Sequence, residues 1–475
     1  MSEAATMDTP AVSVVIPAYN RAKYVVEAVE SVMQQEHTHP GHEVIVVDDG
    51  SSDETSEVLA PFGSRIRYVF QENAGQGAAR NHGLRLARGE WVLFLDSDDA
   101  LLPGALSGML ACVAGRAEIG AVQGGWRIVS DGGETLSEPE PWRQAPQLDL
   151  DTWVMNTPLF LGGMLCRRSW AERVGGFDTQ LRQVEDVDFV LRLALLGCEF
   201  GWLRRPVVQY RQHGANITQN AIEEAHAMEQ VYGALFERPE LPDRIRHKKD
   251  EVFYYRYAWF AWRLCRTGCR EEVEAKLRRS LACSAHSPQK TVLQWARLFV
   301  KWSRDVGTSS EDLSALLPHM REVVPLDEEW WRDMVQVLPW WAAVWSHYLA
   351  GHEALLREAW APHQRLSTSE LLAMAQQSLL ITPVEEMEWA IGRFLEDERS
   401  LPLEPALQAA DVVSLYLTAF GQAAMAHRPR SAVRALSRAL LHSGHPRAIG
   451  AWARFAANAF SYATSNAKRA VGTRP

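Results

Sequence analysis

The sequence predicts an α/β fold, a Rossmann-like, mostly parallel sheet with flanking helices, followed by an all-α C-terminal region. Short β-branched runs alternate with helical patterns four times within about the first 90 residues, the order that a parallel sheet with crossover helices requires. Each run ends in polar or turn residues, so the strand ends can line the rim where open α/β sheets bind ligands. Beyond Ile222, β-rich runs nearly vanish and helical periodicity takes over.

The first run, Val12-Ser-Val-Val-Ile16, passes into Pro17-Ala-Tyr-Asn20. Asn20 is an expected helix N-cap, and Val25, Val26, Val29, Val32 and Met33 recur at helical spacing up to a turn at His37 to Gly41. Val44-Ile-Val-Val47 leads into Asp48-Asp-Gly-Ser51, and Ser51-x-x-Glu54 has capping-box form, predicting a short helix to Leu59 before Pro61. Ile66 to Phe70 is a third strand, and Asn73 to Arg80 opens a helix that ends near Gly89. Trp91-Val-Leu-Phe-Leu95 is the fourth strand. Between Gly124 and Asp151 the chain turns rich in Pro, Gly and acidic residues, which suggests an exposed hairpin or excursion, either a cover for substrate or a plain surface loop. Leu159 to Cys166 and Trp202 to Tyr210 read as further strands, with an amphipathic helix from Asp186 to Leu196 between them.

The length of 475 residues calls for two or three domains at roughly one per 150 residues. The expected parse is a disordered N-terminus over 1–10, an α/β domain over 11–225 and a helical domain over 226–475. A net charge of −10 supplies no basic stripe, which argues against a nucleic-acid partner. Six scattered cysteines lack zinc-finger spacing and read as reduced core or helix residues. With no signal-peptide pattern and no apolar window near the roughly 18 residues that span a bilayer, a cytoplasmic protein is expected. Peripheral contact with the inner membrane face is a second expectation; the Ala-rich, basic tail from Ala448 to Arg469 either lies on that surface or packs on its neighbours as a last helix.

In the helical half, Glu272 to Cys283 and Ser431 to Gly444 each resemble the second helix of a helix-hairpin repeat, too loosely to fix a period. Trp330, Trp331, Trp340, Trp341 and Trp345 are either a sugar-stacking surface or helical core, and this half could recruit a protein partner.

The chemistry concentrates where Trp91 to Leu95 runs straight into Asp96-Ser-Asp-Asp99. A buried strand ending in clustered carboxylates can hold a hard divalent cation, and such a cation can hold a diphosphate. Gly75-x-Gly77 is no dinucleotide fingerprint, because Arg80 stands where a third glycine would fall, and no phosphate-loop Gly-Lys-Ser/Thr occurs. A nucleotidyltransferase would want a Gly-rich, basic loop after the first strand, which Pro17-Ala-Tyr-Asn20 is not.

Taken in order, Val14-Val-Ile-Pro-Ala-Tyr-Asn20, Val46-Val-Asp-Asp-Gly-Ser-Ser-Asp53, Asn73-Ala-Gly-Gln-Gly-Ala-Ala-Arg-Asn81, Phe94-Leu-Asp-Ser-Asp-Asp99, Gly175-Gly-Phe-Asp178 and Glu185-Asp186 resemble the motifs of a family 2 glycosyltransferase of the GT-A fold. The resemblance covers residues 11 to 220 and not the C-terminal half. It implies an inverting enzyme with a nucleotide-sugar donor and Mn²⁺ or Mg²⁺. It places Pro17, Ala18 and Tyr19 at the base, with Asp49 accepting a hydrogen bond from it, which would suit uridine or thymidine donors. Asp48 is expected to orient the turn at Gly50, and Arg80 to reach the nucleotide or else form an ion pair. Asp99 is assigned to the metal, Asp98 to the metal or ribose, Asp96 to support of the turn or sugar, and His213 to a late metal or phosphate contact. Asp186 is the expected catalytic base, with Glu185 supporting; Glu185 and Asp188 read otherwise as helix N-terminal acids. The acceptor, a saccharide, a lipid-linked saccharide, a protein or a small metabolite, is not specified. An inactive relative whose helical half recruits a partner is the alternative.

Overall fold

The computed structural model describes residues 9–35, 41–214, 220–265, 268–305, 311–328 and 331–332. Met1 to Asp8, Trp330, Trp340, Trp341, Trp345, Ser431 to Gly444 and the tail from Ala448 lie outside the described residues. The chain divides into two compact units, the first ending at Arg256 and the second starting at Tyr257.

The first unit opens with β1 (Val12–Ala18), α1 (Val25–Met33), β2 (His42–Asp48), α2 (Thr55–Leu59), β3 (Arg67–Phe70), α3 (Gln76–Leu86) and β4 (Trp91–Phe94). Next come β5 (Ala100–Leu101), α4 (Ala105–Val113), β6 (Ile119–Ser130), β7 (Thr135–Ser137), α5 (Pro141–Gln144) and α6 (Leu150–Met155). Then follow β8 (Met164–Arg167), α7 (Arg168–Arg173), α8 (Glu185–Leu195), β9 (Glu199–Gln212), α9 (Ala221–Glu237) and α10 (Asp243–Arg246). Helix α11 (Lys249–Cys265) precedes α12 (Arg270–Ala282), α13 (Pro288–Asp305) and α14 (Glu311–Val323) of the second unit.

The sheet runs β3-β2-β1-β4-β8-β6-β9-β5, with β7 hairpinned on β6. β1 pairs in parallel with β2 and β4, and β2 with β3, while β8 lies antiparallel between β4 and β6. The fold is therefore the expected mostly parallel sheet with flanking helices. All seven residues of β1 are buried, as a strand covered on both faces demands, and each such apolar side chain contributes about 1.5–3 kcal/mol. Val25, Ala28, Val29 and Val32 form the buried stripe of α1 at i, i+3, i+4, i+7.

Three local expectations are corrected. Asn20 does not cap α1, whose N-cap is Tyr24; it adopts a left-handed φ of 52°. From there its N–H donates to Ser51 Oγ at 2.9 Å and its Oδ1 accepts from the Ser52 N–H at 2.8 Å, so it clamps the end of β1 to the turn after β2. Ser51 and Glu54 form no capping box: the N-cap is Glu54, without a side-chain bond, and the Asp53 carboxylate accepts the Thr55 N–H instead. Gly124 begins no excursion. It sits within the long strand β6, and the expected exposed hairpin starts only at Asp131, where the chain turns back into β7.

All six cysteines are reduced, as expected. Among the described residues, no helix is long and apolar enough to cross a membrane.

Candidate active site

The ends of β1, β2 and β4, the N-terminus of α8 and the end of β9 meet at one rim. A cleft of about 220 Å³ opens there, lined by Gln76, Arg80, Asp96, Asp98, Asp99, Arg182, Gln183, Val184, Glu185, Asp186, Val187, Tyr210, Glu224 and Met228. It brings together the acids after β4, the Glu185-Asp186 pair and Arg80. Pro17, Ala18, Tyr19, Asp48 and Asp49 are not among its walls; they occupy the neighbouring ends of β1 and β2, with Tyr19 48% exposed and Ala18 buried.

Asp48 and Asp49 are both buried and richly hydrogen-bonded. Asp48 accepts from the Ser51 N–H at 2.8 Å and from the Tyr68 hydroxyl at 2.7 Å, which holds the turn through Gly50. That turn needs glycine: φ is +81°, and a Cβ would stand 2.9 Å from the Asn73 nitrogen. Asp49 accepts from Gln71 Nε2 at 2.7 Å and from the N–H groups of Ala74 and Gly75 at 2.9 and 2.8 Å. It thus shapes the Asn73 to Gly75 loop that launches α3.

Arg80 is no surface residue. It lies buried on α3, bonds Asp96 Oδ1 at 2.7 Å, pairs with Glu185 and stands over the Phe177 ring at 5.4 Å. Asp96 also accepts from Gln76 Nε2 at 2.9 Å. Asn81, one residue on, accepts the Phe177 N–H and donates to the Phe177 carbonyl, both at 2.8 Å, so α3 is stitched to the Gly175-Gly-Phe-Asp178 turn.

Asp98 and Asp99 differ from the β2 pair. Asp98 Oδ2 lies 3.1 Å from His213 Nε2 and 3.4 Å from Arg21 Nε. Asp99 is buried and accepts the Arg211 N–H at 3.0 Å. Burial first, then the charges of Asp96 and Asp98, push its carboxyl well above the usual carboxylate range. Arg211 ties this corner together: Nε donates to the Asp98 carbonyl at 3.3 Å, Nη1 to the Asp131 carbonyl at 3.1 Å, and Nη2 pairs with Glu27 at 2.6 Å. His213 is buried and stacks on Tyr24 with ring centroids 4.7 Å apart.

Among the described residues no group of three or more His, Cys, Asp or Glu side chains is arranged to hold a metal by itself. The donor set still fits a cation. Magnesium-type ions take one or two carboxylates and complete their shell with substrate phosphates and water. Crowded carboxylates whose ionisation burial opposes are the environment such a charge relieves.

Asp186 stands in the first turn of α8. Burial raises its pKa above the ordinary carboxylate value, opposed by the Arg80 charge. Glu185 is pushed up to about 7, again by burial first, with Asp186 adding to it and Arg80 opposing. The preceding residue, Val184, is β-branched yet holds φ at +56°. Such a residue is a genuine outlier in the left-handed region, and strain of this kind gathers at functional sites.

Residues 13–175 match the model of glycosyl transferase family 2. An uncharacterized glycosyltransferase of Nostoc sp. is 32% identical over 222 residues, which span 44% of this chain and 67% of that one. The chain belongs to glycosyltransferase family 2, and it is a glycosyltransferase. An uncharacterized glycosyltransferase of Rickettsia typhi is 27% identical over 236 residues, 48% of this chain and 73% of the relative. Among solved structures, S. aureus TarS 1–349 in complex with UDP-GlcNAc aligns with a TM-score of 0.42 and 18% identity, covering 72% of this chain and 92% of that one.

Sequence reasoning on this family 2 glycosyltransferase overlooked Arg211, Gln76 and Asn81 as parts of the site's frame. Arg211 was signalled by its place between Tyr210 and His213, but a buried arginine joining three elements has no local signature. Tyr210, Glu224 and Met228 were overlooked as walls of the cleft, and all three lie beyond the matched stretch.

Proposed function

We propose that the enzyme transfers a sugar from a nucleoside diphosphate donor to an acceptor hydroxyl with inversion, using Asp186 as the base. What carries this reading is that Asp186 shares one cleft with the acids after β4, so a proton acceptor and a diphosphate-binding corner face the same volume. Inversion requires one group to take the acceptor proton while the leaving diphosphate departs from the opposite face. A carboxylate whose pKa is raised by burial holds that proton better than an exposed one would.

Asp99, Asp98 and His213 would hold Mn²⁺ or Mg²⁺, which when bound offsets the charge gathering on the departing diphosphate. Asp98, at the edge of that group, would also meet the ribose. Pro17, Ala18 and Tyr19 would flank the base. Asp49 would act on it mainly by fixing the loop from Asn73 to Gly75, and its acceptor character still favours uridine or thymidine. Arg80 orients Glu185 and Asp96, and through them the floor beneath the sugar, rather than binding the nucleotide outright. The helical residues from 226 onward would serve acceptor or partner binding, and peripheral membrane contact would be theirs to make.

Incubation with UDP-, dTDP- and GDP-sugars and Mn²⁺, read as release of the nucleoside diphosphate, tests the donor half. Thermal stabilisation by UDP that needs Mn²⁺ and vanishes in Asp99→Ala tests the metal corner, since a ligand bound only by the folded state raises its stability. No release and no stabilisation with any donor would overturn the proposal.

A further inference from the structure

Helix α9 lies outside the family-matched stretch, yet Glu224 and Met228 line the cleft beside Asp186. One helical turn apart, they share a face of α9, and Tyr232 continues the same stripe at the next turn. Tyr232 is fully buried, and its hydroxyl lies 2.8 Å from Thr157 Oγ1 and 2.5 Å from Arg256 Nη2. Thr157 itself holds a left-handed φ of 46°, fixed by its bond to the Trp153 carbonyl at 2.8 Å. This anchor sets the rotation of α9, so the presentation of Glu224 and Met228 to the cleft is built in rather than incidental.

The third element is Tyr210, a half-buried ring in the cleft wall that packs on Phe160 at 5.1 Å. A ring, a thioether and a carboxylate facing one cavity are the parts from which proteins recognise sugars: apolar surface meets the C–H face of the pyranose, and a carboxylate accepts from two neighbouring hydroxyls.

We infer that Tyr210, Met228 and Glu224 form the acceptor wall, and that the acceptor they select is an uncharged saccharide with free neighbouring hydroxyls. The inference rests on the transfer reading above and names the substrate class of the same site. The charge of the cleft decides against an acidic sugar. Glu224 joins Asp96, Asp98, Asp99, Glu185 and Asp186, six carboxyls against two guanidiniums, Arg182 and an Arg80 already committed to two of those carboxylates. A uronate or phosphorylated acceptor would place another anion against them, and like charges in a partly desolvated site repel strongly.

The test uses the full chain, the donor found by diphosphate release, and a panel of p-nitrophenyl glycosides of glucose, galactose, N-acetylglucosamine and glucuronic acid. Donor hydrolysis without acceptor reports on the transfer reading alone; its absence sinks that reading first. Given hydrolysis, at least one neutral glycoside is expected to be glycosylated, and glucuronide not. Glu224→Gln should raise the acceptor KM about tenfold, the loss of a charge-assisted hydrogen bond, while moving the donor KM far less. Met228→Ala should act in the same direction, and His226→Ala, on the exposed side of α9, should change neither. Glycosylation of glucuronide alone, of no glycoside at all, or an equal rise of donor and acceptor KM in Glu224→Gln, overturns the inference.

Discussion

Two acidic pairs close the strands that flank β1 in one sheet, and they do opposite things. Asp48 and Asp49, at the end of β2, receive five hydrogen bonds from Ser51, Tyr68, Gln71, Ala74 and Gly75. Asp98 and Asp99, after β4, have fewer such donors, and burial, then the charges of Asp96 and Asp98, pushes the Asp99 pKa upward. A carboxylate given its own backbone donors becomes architecture. One left among like charges would be relieved by a cation, as the proposed metal role requires.

Substitutions that treat the two sites alike should separate them, and the largest effect belongs to the base. Asp186→Asn is expected to lower kcat by about 10²–10⁴-fold, the usual contribution of a general base, with nucleotide affinity nearly unchanged. Because burial opposes the Asp186 charge, the same variant should melt no lower than the parent at neutral pH. Retained turnover in Asp186→Asn would remove the base from Asp186 and place it elsewhere in the cleft. Next comes Asp99→Ala, for which Mn²⁺-dependent UDP affinity should fall at least about tenfold, as for a lost charged contact, in a titration read by calorimetry. An unchanged affinity in that titration would make Asp99 a structural acid like Asp49 and erase the contrast.

The alternation of strands and helices was legible because β-branched runs with turn residues at their ends leave few other folds. The acids were legible as a motif, since Asp96, Asp98 and Asp99 fall within four positions. Their division of labour was not. Nothing local distinguishes Asp49, whose partners Gln71, Ala74 and Gly75 arrive from the next strand's end, from Asp99, whose neighbour Arg211 arrives from β9. Asn20 shows the same limit: its spacing fits an N-cap, but the turn after β2 offers two N–H donors and takes its side chain. Glu224 and Met228 carried no signal, because an amphipathic helix writes its buried stripe identically whether it packs on a core or on a cleft.

The structural pair sharpens the contrast through stability. Asp49→Ala would strip acceptors from Gln71 and from two loop N–H groups at once, and a cost of about 3 kcal/mol follows if solvent only partly replaces them. Urea unfolding should show it as a lower midpoint with the slope unchanged. A variant of wild-type stability that merely binds UDP more weakly would turn Asp49 into a ligand contact, and the two pairs would then differ in degree only.

The smallest effect is a shift along the pH axis. Glu185 has its folded pKa raised to about 7 from 4.5, so its contribution to stability is complete below the lower value and is lost as pH rises through the upper one. Activity runs the other way, because Asp186 must be ionised and its own pKa is raised: kcat/KM should climb with pH above the ordinary carboxylate range. Glu185→Gln ends the claim of the Glu185 carboxyl on Arg80 and leaves more of the Arg80 charge to act on Asp186. That favours the ionised base, so the acid limb of the kcat/KM profile should move to lower pH. A limb that stays in place would show that Arg80 and Glu185 neutralise each other as seen from Asp186, and that burial alone sets the base.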